Sequence, residues 1–580
     1  MIYSSDFETV NDKNDCRVWA SASLSLDLKT YFTGNSIDDF MTQLKVNSNY
    51  SNDVHWFHNL AFDGTFIMYW LFQNGYRHVV PKPKDSKEPD TPENTITSKT
   101  FTTLISDMGQ FYSIEVYFYK KGKKVKKVTF YDSLKVFGMS VDEVAKAFDL
   151  PISKLSIDYN AVRPVGHILT EEEKDYIRND VEIIARALTI MFEQGLNKMT
   201  IGSSALNWYK EHIGKETFEI NFPKLSEFED KFVRQSYRGG FCWVNPKYKN
   251  KEGIKEGIVL DVNSLYPSRM YYEALPVGEG VYFDGEYQQD DMYPLYVVQF
   301  KCDFHLKPNH IPTVQLKKHS RFAFNEYVED SKGEYPTMTM TSVDLKLFLE
   351  HYEVEDLVYI GGYKYMSSTN MFTSYIDYWM KVKEDAVKNK NKAMKSIAKK
   401  MLNTLYGKFA TTLECRSKIP MYDEKENKIK YRYGEYEHRE GVYLPVGTFV
   451  TSYGRNFTIR SAQKNYERFM YADTDSQHLE GKEIPTNLQI HDSKLGYWAL
   501  EFEFIKARYL RQKTYIEEGK EPDEDCEPYL NITCAGMPSR CYDNVTFDNF
   551  KFGQVFKGKL LKKSVSNGII LEESTFQLKE

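Results

Sequence analysis

Asp6 and Glu8 stand two apart in MIYSSDFETV, a run that reads as a strand, so both project from one face. Asp63 lies at the start of AFDGTFIMYWLFQN, whose apolar residues recur at helical spacing. Tyr176 and Asp180 are four apart on a second helical stretch and share a side of it. Four acids gathered in a protein repel one another and call for a cation. Hard divalent ions take oxygen ligands, and a pair of them can generate hydroxide, hold a scissile phosphate and stabilise the leaving oxygen. Asp6, Glu8, Asp63 and Asp180 are thus candidate ligands for phosphodiester hydrolysis, with Tyr176 placed to orient water. Taken singly, each reads more readily as a surface acid.

A second set lies further along the chain. Asp261 ends an apolar strand in GIVLDVNSLYPSRM, which is expected to break at Pro267. Asp473 and Asp475 sit at the tip of a turn between two short strands in RFMYADTDSQHLE. One acid on each of two neighbouring strands can hold a metal pair, a geometry suited to phosphoryl transfer from a nucleoside triphosphate to a 3′ hydroxyl. In SIAKKMLNTLYGKFA, Lys399, Asn403 and Tyr406 follow helical spacing on one face. A lysine there neutralises triphosphate charge, and a tyrosine offers a flat surface to a base pair. The alternative is an ordinary amphipathic helix with a solvated lysine row.

The elements that must position these groups are partly legible. CRVWASASLSL and VHWFHNL read as strands beside the first. A helix is expected near 171–194, with Thr170 as N-cap, Glu173 completing a capping box and Gly195 as the stop. The stretch from Pro81 to Asn94 reads as a surface loop. Between about 300 and 352 lie strand-like runs, YVVQFKCDF and IPTVQLKK, and a helix near 342–352; residues 411–443 read as a polar β-hairpin. Three basic runs, Lys120 to Lys127, Lys381 to Lys400 and Lys557 to Lys563, are solvated faces or phosphate contacts.

At 580 residues the chain has room for several domains. Its net charge of −6 argues against a protein that coats DNA. With 41% hydrophobic and 27% charged residues it is globular in composition, and no apolar run is long enough for a membrane span. The N-terminus lacks the basic and apolar pattern of a signal peptide. Seven scattered cysteines have no zinc-ligand spacing, which fits a reducing cytoplasm.

DFE, HNLAFDG and YIRND, in that order, resemble the three motifs of the DEDD exonucleases. DVNSLYP, KKMLNTLYG and YADTDS resemble motifs A, B and C of family B polymerases; YRGG at Tyr237–Gly240 and KTY at Lys513–Tyr515 resemble that family's linking and primer-gripping elements. The matches run along nearly the whole chain. The set is most similar to the protein-primed family B DNA polymerases of small tailed bacteriophages, the phi29-like group. Departures are Ser156, where close relatives carry a carboxylate (Asp158 would substitute), Thr404 in place of Ser, and a fingers segment about four residues longer.

The resemblance implies an α+β multidomain fold: an RNase H-like DEDD exonuclease domain (1–200), then a right-hand polymerase. Its palm would be 201–272 and 444–533, its fingers 371–410 and its thumb 534–580. Two terminal-protein insertions, 273–370 and 411–443, would hold the priming protein and wedge strands apart. It implies 3′→5′ proofreading and processive, strand-displacing synthesis, with two divalent metal ions (Mg²⁺ or Mn²⁺) per active site and dNTP substrates. By it, Asp261, Val262 and Asp475 hold metal and Asp473 supports the site, while Tyr266 is the steric gate against a ribose 2′-OH. Lys383, Lys395 and Lys399 contact the triphosphate; Asn403 and Tyr406 face the nascent pair. Thr9, His58, Asn59, Phe62, Ser133 and Leu134 touch the single-stranded end, with Lys154 assisting; Tyr237, Gly239, Gly240, Lys513 and Tyr515 touch template and primer. The implied partners are template and primer DNA and a terminal protein, with the chain a monomer acting in the cytoplasm of an infected bacterium. The competing readings are a family B polymerase that uses only nucleic-acid primers and a DEDD nuclease with a decayed polymerase half.

Overall fold

The first strand, Ile2–Val10, lies inside an eight-stranded sheet, parallel to Asn52–Phe57 on one side and antiparallel to Arg17–Ser25 on the other. Beyond Asn52–Phe57 the sheet continues with Lys124–Asp132, Phe111–Lys121, Thr100–Ile105 and Arg77–His78. Phe7 and Val18 enter one core and Trp19, Ala20 and Ala22 another, a bulge at Trp19 interrupting the strand's alternation. Helix Leu60–Gln73 covers the first face and helix Glu171–Glu193 the second. The latter begins with the capping box expected from Thr170 and Glu173. The structure, a computed structural model, describes residues 1–46, 52–82, 89–159, 161–254, 256–316, 326–520 and 529–580. Residues 83–88 of the expected loop, and Lys317 and Lys318 of the IPTVQLKK run, fall outside these.

A seven-stranded sheet carries the second acidic set, in the order Leu530–Cys534, Thr514–Gly519, Trp498–Arg511, Gly257–Val262, Ser476–Glu480, Phe469–Asp473, Cys242–Val244. Strand Gly257–Val262 is central and apolar, as a strand buried on both faces must be. The chain then differs from the expectation at Pro267. Ser264 takes a left-handed φ of 57° and makes the bend, and Pro267 lies within helix Leu265–Tyr272. A proline is tolerated in a first turn, where no intrahelical partner for its nitrogen exists.

Helices Thr373–Lys388 and Lys392–Phe409 form an antiparallel pair, and Leu444–Lys464, a long buried helix, backs the seven-stranded sheet. A four-stranded sheet built on Leu295–Leu306 and Tyr352–Ser368 lies between the acidic strand and the helical pair in sequence, and includes helix Ser342–His351 in its core. The expected polar hairpin is present as Glu414–Asp423 and Lys428–His438. A second long hairpin, Val555–Val565 with Gly568–Gln577, returns to the first sheet: Asn11 exchanges two hydrogen bonds with the Leu571 backbone, at 2.8 and 2.7 Å. Ser564 also donates to the Ile429 carbonyl at 2.9 Å, and Tyr69 to Asn427 Oδ1 at 2.6 Å, so both hairpins and the first sheet meet. Among the described residues no helix is long and apolar enough to cross a membrane.

Candidate active sites

Asp6, Glu8 and Asp180 each offer an oxygen within 4.8 Å of the others, and among the described residues this is the group of three or more ligating side chains able to share a cation. With Asp63, Tyr176 and Lys154 they line a cavity of about 390 Å³. Burial raises the Asp6 carboxyl to about 7, with Asp180 adding to it and Lys154 opposing. Glu8 and Asp63 are driven well above the usual carboxylate range, first by burial and then by Asp6. Asp63 Oδ1 and Asp180 Oδ1 are buried without a hydrogen-bond partner. Buried carboxylate oxygens left this way are what a hard cation would satisfy, so the residues fit a divalent metal site. Lys154 pairs with Asp180, an ion pair that supplies positive charge at the mouth of the cluster.

Three neighbours escaped the sequence reading. Tyr159 shares a 2.6 Å hydroxyl–hydroxyl bond with Tyr176. Asp132 accepts from the Asn59 and Leu134 amides, both at 3.0 Å, and so holds the left-handed Asn59 turn (φ 74°) that starts the Asp63 helix. Lys562 arrives from the last hairpin. It belongs to the Lys557–Lys563 run, a visible signal whose destination no local pattern could reveal.

Not all the expected strand-contacting residues face this cavity. His58, Asn59 and Phe62 line it. Ser133 is buried, donating to His58 Nδ1 at 2.9 Å, with the Phe57 carbonyl 3.1 Å from the same hydroxyl. His58 Nε2 meets the Met139 carbonyl at 2.9 Å, and burial depresses its pKa to about 4, so a neutral ring is locked in place. Thr9 and Leu134 lie outside the cavity lining.

In the seven-stranded sheet, Asp261 pairs with Ser476 and the Val262 amide donates to the Asp475 carbonyl at 2.8 Å, which brings Asp475 beside Asp261. Burial lifts Asp261 to about 8, with Asp475 and Glu501 adding to it and Lys399 opposing. Asp475 is raised by burial as well, helped by Asp473 and Glu501. Two carboxyls that resist ionisation, facing lysines, suit a divalent cation and a polyphosphate better than an ion pair. Glu501 was missed. It is the extra residue where Val259 pairs with Phe502 but Leu260 with Leu500, and this bulge lets it share the acidic centre.

Asp473 is engaged differently: Lys513 Nζ lies 2.7 and 2.8 Å from its two oxygens. Burial pulls the Lys513 ammonium down, and the Asp473 pair outweighs it, leaving the pKa raised. The Lys513 amide donates to Tyr471 OH at 3.0 Å, and Tyr515 packs 5.1 Å from the Tyr471 ring, so KTY and YADTDS form one unit.

The Asp473–Asp475 tip is clamped from outside. Thr474 donates to the Phe241 carbonyl at 2.6 Å, and a Cβ on Gly240 would come within 2.6 Å of Thr474 Oγ1. The glycine is required for that approach. At Gly239 a Cβ would meet nothing within 4 Å.

Tyr266 lies 4.2 Å from the Tyr406 ring, and a Cβ on Gly454 would stand 3.0 Å behind it. Tyr237 adds to the raised pKa of both tyrosines, so the three rings are close. On the helical pair, burial lowers the Lys383 pKa, and Lys399 and Lys395 lower it further. Three ammonium groups so placed repel one another until an anion arrives. Asn403 is exposed beside them.

A carboxylate pair under a lysine cluster and a flat aromatic floor, on an antiparallel sheet in a chain that carries a second acidic centre, defines a nucleotidyl-transferring enzyme of the polymerase class. The chain belongs to the family of DNA polymerase type B, organellar and viral, whose model matches residues 44–493. It is 43% identical to the DNA polymerase of Bacillus phage M2, over 100% of this chain and 99% of that one. It is 42% identical to that of Bacillus phage phi29, again over 100% and 99%. The Streptococcus phage Cp-1 DNA polymerase is 32% identical over 100% of this chain and 98% of its own. A solved structure of the phi29 DNA polymerase complexed with primer-template DNA and incoming nucleotide substrates superposes with a TM-score of 0.91 at 42% identity, covering 100% of both chains. The chain is a DNA-directed DNA polymerase of phage type, with the multidomain α/β architecture that the motifs implied.

Proposed function

We propose that this polymerase replicates a phage genome from a protein primer, displaces the strand ahead, and proofreads with the Asp6–Glu8–Asp63–Asp180 centre. The observation that carries the proofreading half is the cavity in which Asp6, Glu8 and Asp180 share a 4.8 Å neighbourhood while oxygens of Asp63 and Asp180 lack partners. Bound divalent cations would supply a nucleophilic hydroxide there and charge neutralisation at both centres. Tyr176, backed by Tyr159, orients the attacking water, and Lys154 stabilises charge building on the phosphate.

At the other centre Asp261, the Val262 carbonyl and Asp475 would hold the metal ions. Lys383, Lys395 and Lys399 neutralise the triphosphate, Tyr266 and Tyr406 seat the base and sugar, and Lys513 steadies the primer end through Asp473. Tyr237 to Gly240 would bear on the template. The domains in this reading are a nuclease to about 200, a palm on both sides of the helical fingers, and a thumb from about 534. The partners are template, primer and terminal protein, and the site of action is the infected cell.

The deciding experiment incubates the enzyme with a candidate terminal protein, dATP and Mg²⁺, and looks for a covalent protein–dAMP product. If only nucleic-acid primers are extended, protein priming is wrong and the enzyme is a conventional family B polymerase. Rolling-circle synthesis on a primed single-stranded circle without accessory proteins should give long products; products that stop at one circle length would refute displacement.

A further inference from the structure

Glu517 is fully buried, yet its carboxylate is met from three other strands of the seven-stranded sheet. Tyr509 OH donates to Oε1 at 2.7 Å, His478 Nδ1 stands 2.6 Å from the same oxygen, and Asn531 Nδ2 donates to Oε2 at 2.9 Å. An ionised carboxylate only accepts, so His478 Nδ1 carries the proton between them. His478 Nε2 is buried without a hydrogen-bond partner among the described residues. The Tyr471, Tyr509 and Tyr515 rings surround the imidazole, with centroids at 5.0, 5.6 and 5.1 Å, and confine it.

His478 is three residues beyond Asp475, and Glu517 is four beyond Lys513. Their strands are not neighbours, since Trp498–Arg511 and Gly257–Val262 lie between them. The backbone ladder thus joins the Lys513 turn to the catalytic turn only by way of those two strands, and its register shifts between Tyr509 and Arg511, just before the turn. Lys513 itself takes a left-handed φ of 53°.

Besides the Lys513 amide on Tyr471, two ties between side chains cross this gap. The outer one, Lys513 on Asp473, is half-open to solvent, where ion pairs are weak and a phosphate would compete for the ammonium. The inner one, His478 on Glu517, is shut away from water, where such a bond is stronger and its loss costs more. One tie leaves a hairpin free to pivot, and a second, deeper one fixes its angle. We propose that Glu517 and His478 are positioning residues for Lys513: they hold its turn in place against Asp473 and Asp475 when the ammonium leaves Asp473 for a phosphate of the primer. This rests on the reading of Lys513 as a primer contact and adds the residues that stand behind it.

The test measures, on the full chain, primer–template dissociation constants, KM for DNA and for dNTP, and degradation of single-stranded DNA. His478→Phe fills the space but removes the donor. It should weaken primer–template binding about tenfold and raise KM for DNA in step, with KM for dNTP and single-strand degradation near wild type. His478→Asn, whose amide can donate from near the place of Nδ1, should restore the affinity. In a Lys513→Ala background His478→Phe should add nothing, because both changes act through one contact. Glu517→Gln removes the charge without stranding one, and keeps the question open to measurement if His478→Phe does not fold; it should weaken binding about threefold. Wild-type affinity in whichever of these two variants folds, losses that add to that of Lys513→Ala, or an equal fall in every activity would overturn the proposal. Wild-type affinity in Lys513→Ala alone would show instead that the primer-contact reading beneath it is wrong.

Discussion

Lys562 Nζ lies 3.2 Å from Asn59 Oδ1, joining the last hairpin of the chain to the turn that launches the Asp63 helix. Burial lowers the Lys562 pKa, and the Asp63 and Asp132 carboxylates pull it partly back. A lysine desolvated beside an acidic cavity is held there for a negatively charged ligand. Lys562→Ala should slow degradation of single-stranded DNA by about tenfold while leaving dNTP addition near wild type. Gel assays of both activities check this; an equal fall in both would mean the hairpin is simply misplaced.

The two acidic centres should be separable. Asp475→Ala, or Asp261→Asn, should cut nucleotide addition by about a thousandfold or more and spare single-strand degradation. Asp6→Ala with Glu8→Ala should do the reverse. Loss of both activities in either variant would contradict two independent sites.

Proton and metal compete for these carboxyls. Asp261 is raised to about 8 and Asp6 to about 7. A carboxyl raised on folding stabilises the native state below its unfolded pKa, near 4, and that contribution is lost as pH climbs through the folded value. Metal-free protein should therefore lose thermal stability between about pH 5 and 8.5. Mn²⁺ or Mg²⁺ should restore it, by more at the upper end, where no proton need be expelled. Calorimetry at several pH values with and without metal reads this directly; a metal effect that shrinks with rising pH would contradict it.

Local patterns found what local forces build. Thr170 and Glu173 cap a helix because the bonds involved lie within one turn, and the Phe469–Glu480 hairpin forms around a tight turn that its own residues favour. Distant contacts were silent. Glu501 joins Asp261 only because a bulge shifts its strand, Lys562 reaches Asn59 across the whole chain, and Ser133 is buried by a turn that Asp132 organises. Pro267 misled because a strand's end and a helix's first turn make the same local demand on backbone, and Ser264's left-handed conformation decided between them.

Tyr266 is held between the Tyr406 ring at 4.2 Å and the Gly454 backbone. Shortening it should open room for a ribose hydroxyl: Tyr266→Val should raise ribonucleotide incorporation by about a hundredfold. Gly454→Ala, whose Cβ would stand 3.0 Å from the ring, should instead push Tyr266 forward and raise KM for dNTPs. Single-nucleotide kinetics with dATP and ATP distinguish the two; unchanged discrimination in Tyr266→Val would remove the gate.

Arg455 shows how the linking element is held. Its Nη1 donates to the Arg238 carbonyl at 2.7 Å and the Gly239 carbonyl at 2.8 Å, while Nη2 meets Asp344 Oδ2 at 2.5 Å. Asp344 is on helix Ser342–His351, so one side chain on the long buried helix ties that helix to the loop carrying Gly239 and Gly240, and Gly240 packs on Thr474 at the catalytic turn. The planar fork is needed, because a lysine cannot serve two carbonyls and a carboxylate in fixed directions. Arg455→Lys keeps the charge beside Asp344 and should still fold. It should nonetheless weaken primer–template binding by about tenfold, since the loop loses its anchor, and shift the balance from nucleotide addition toward degradation. Arg455→Ala leaves Asp344 without its ionic partner and should lower the melting temperature as well. A Lys variant with wild-type DNA affinity would mean that the loop is positioned by Gly240 and Thr474 alone.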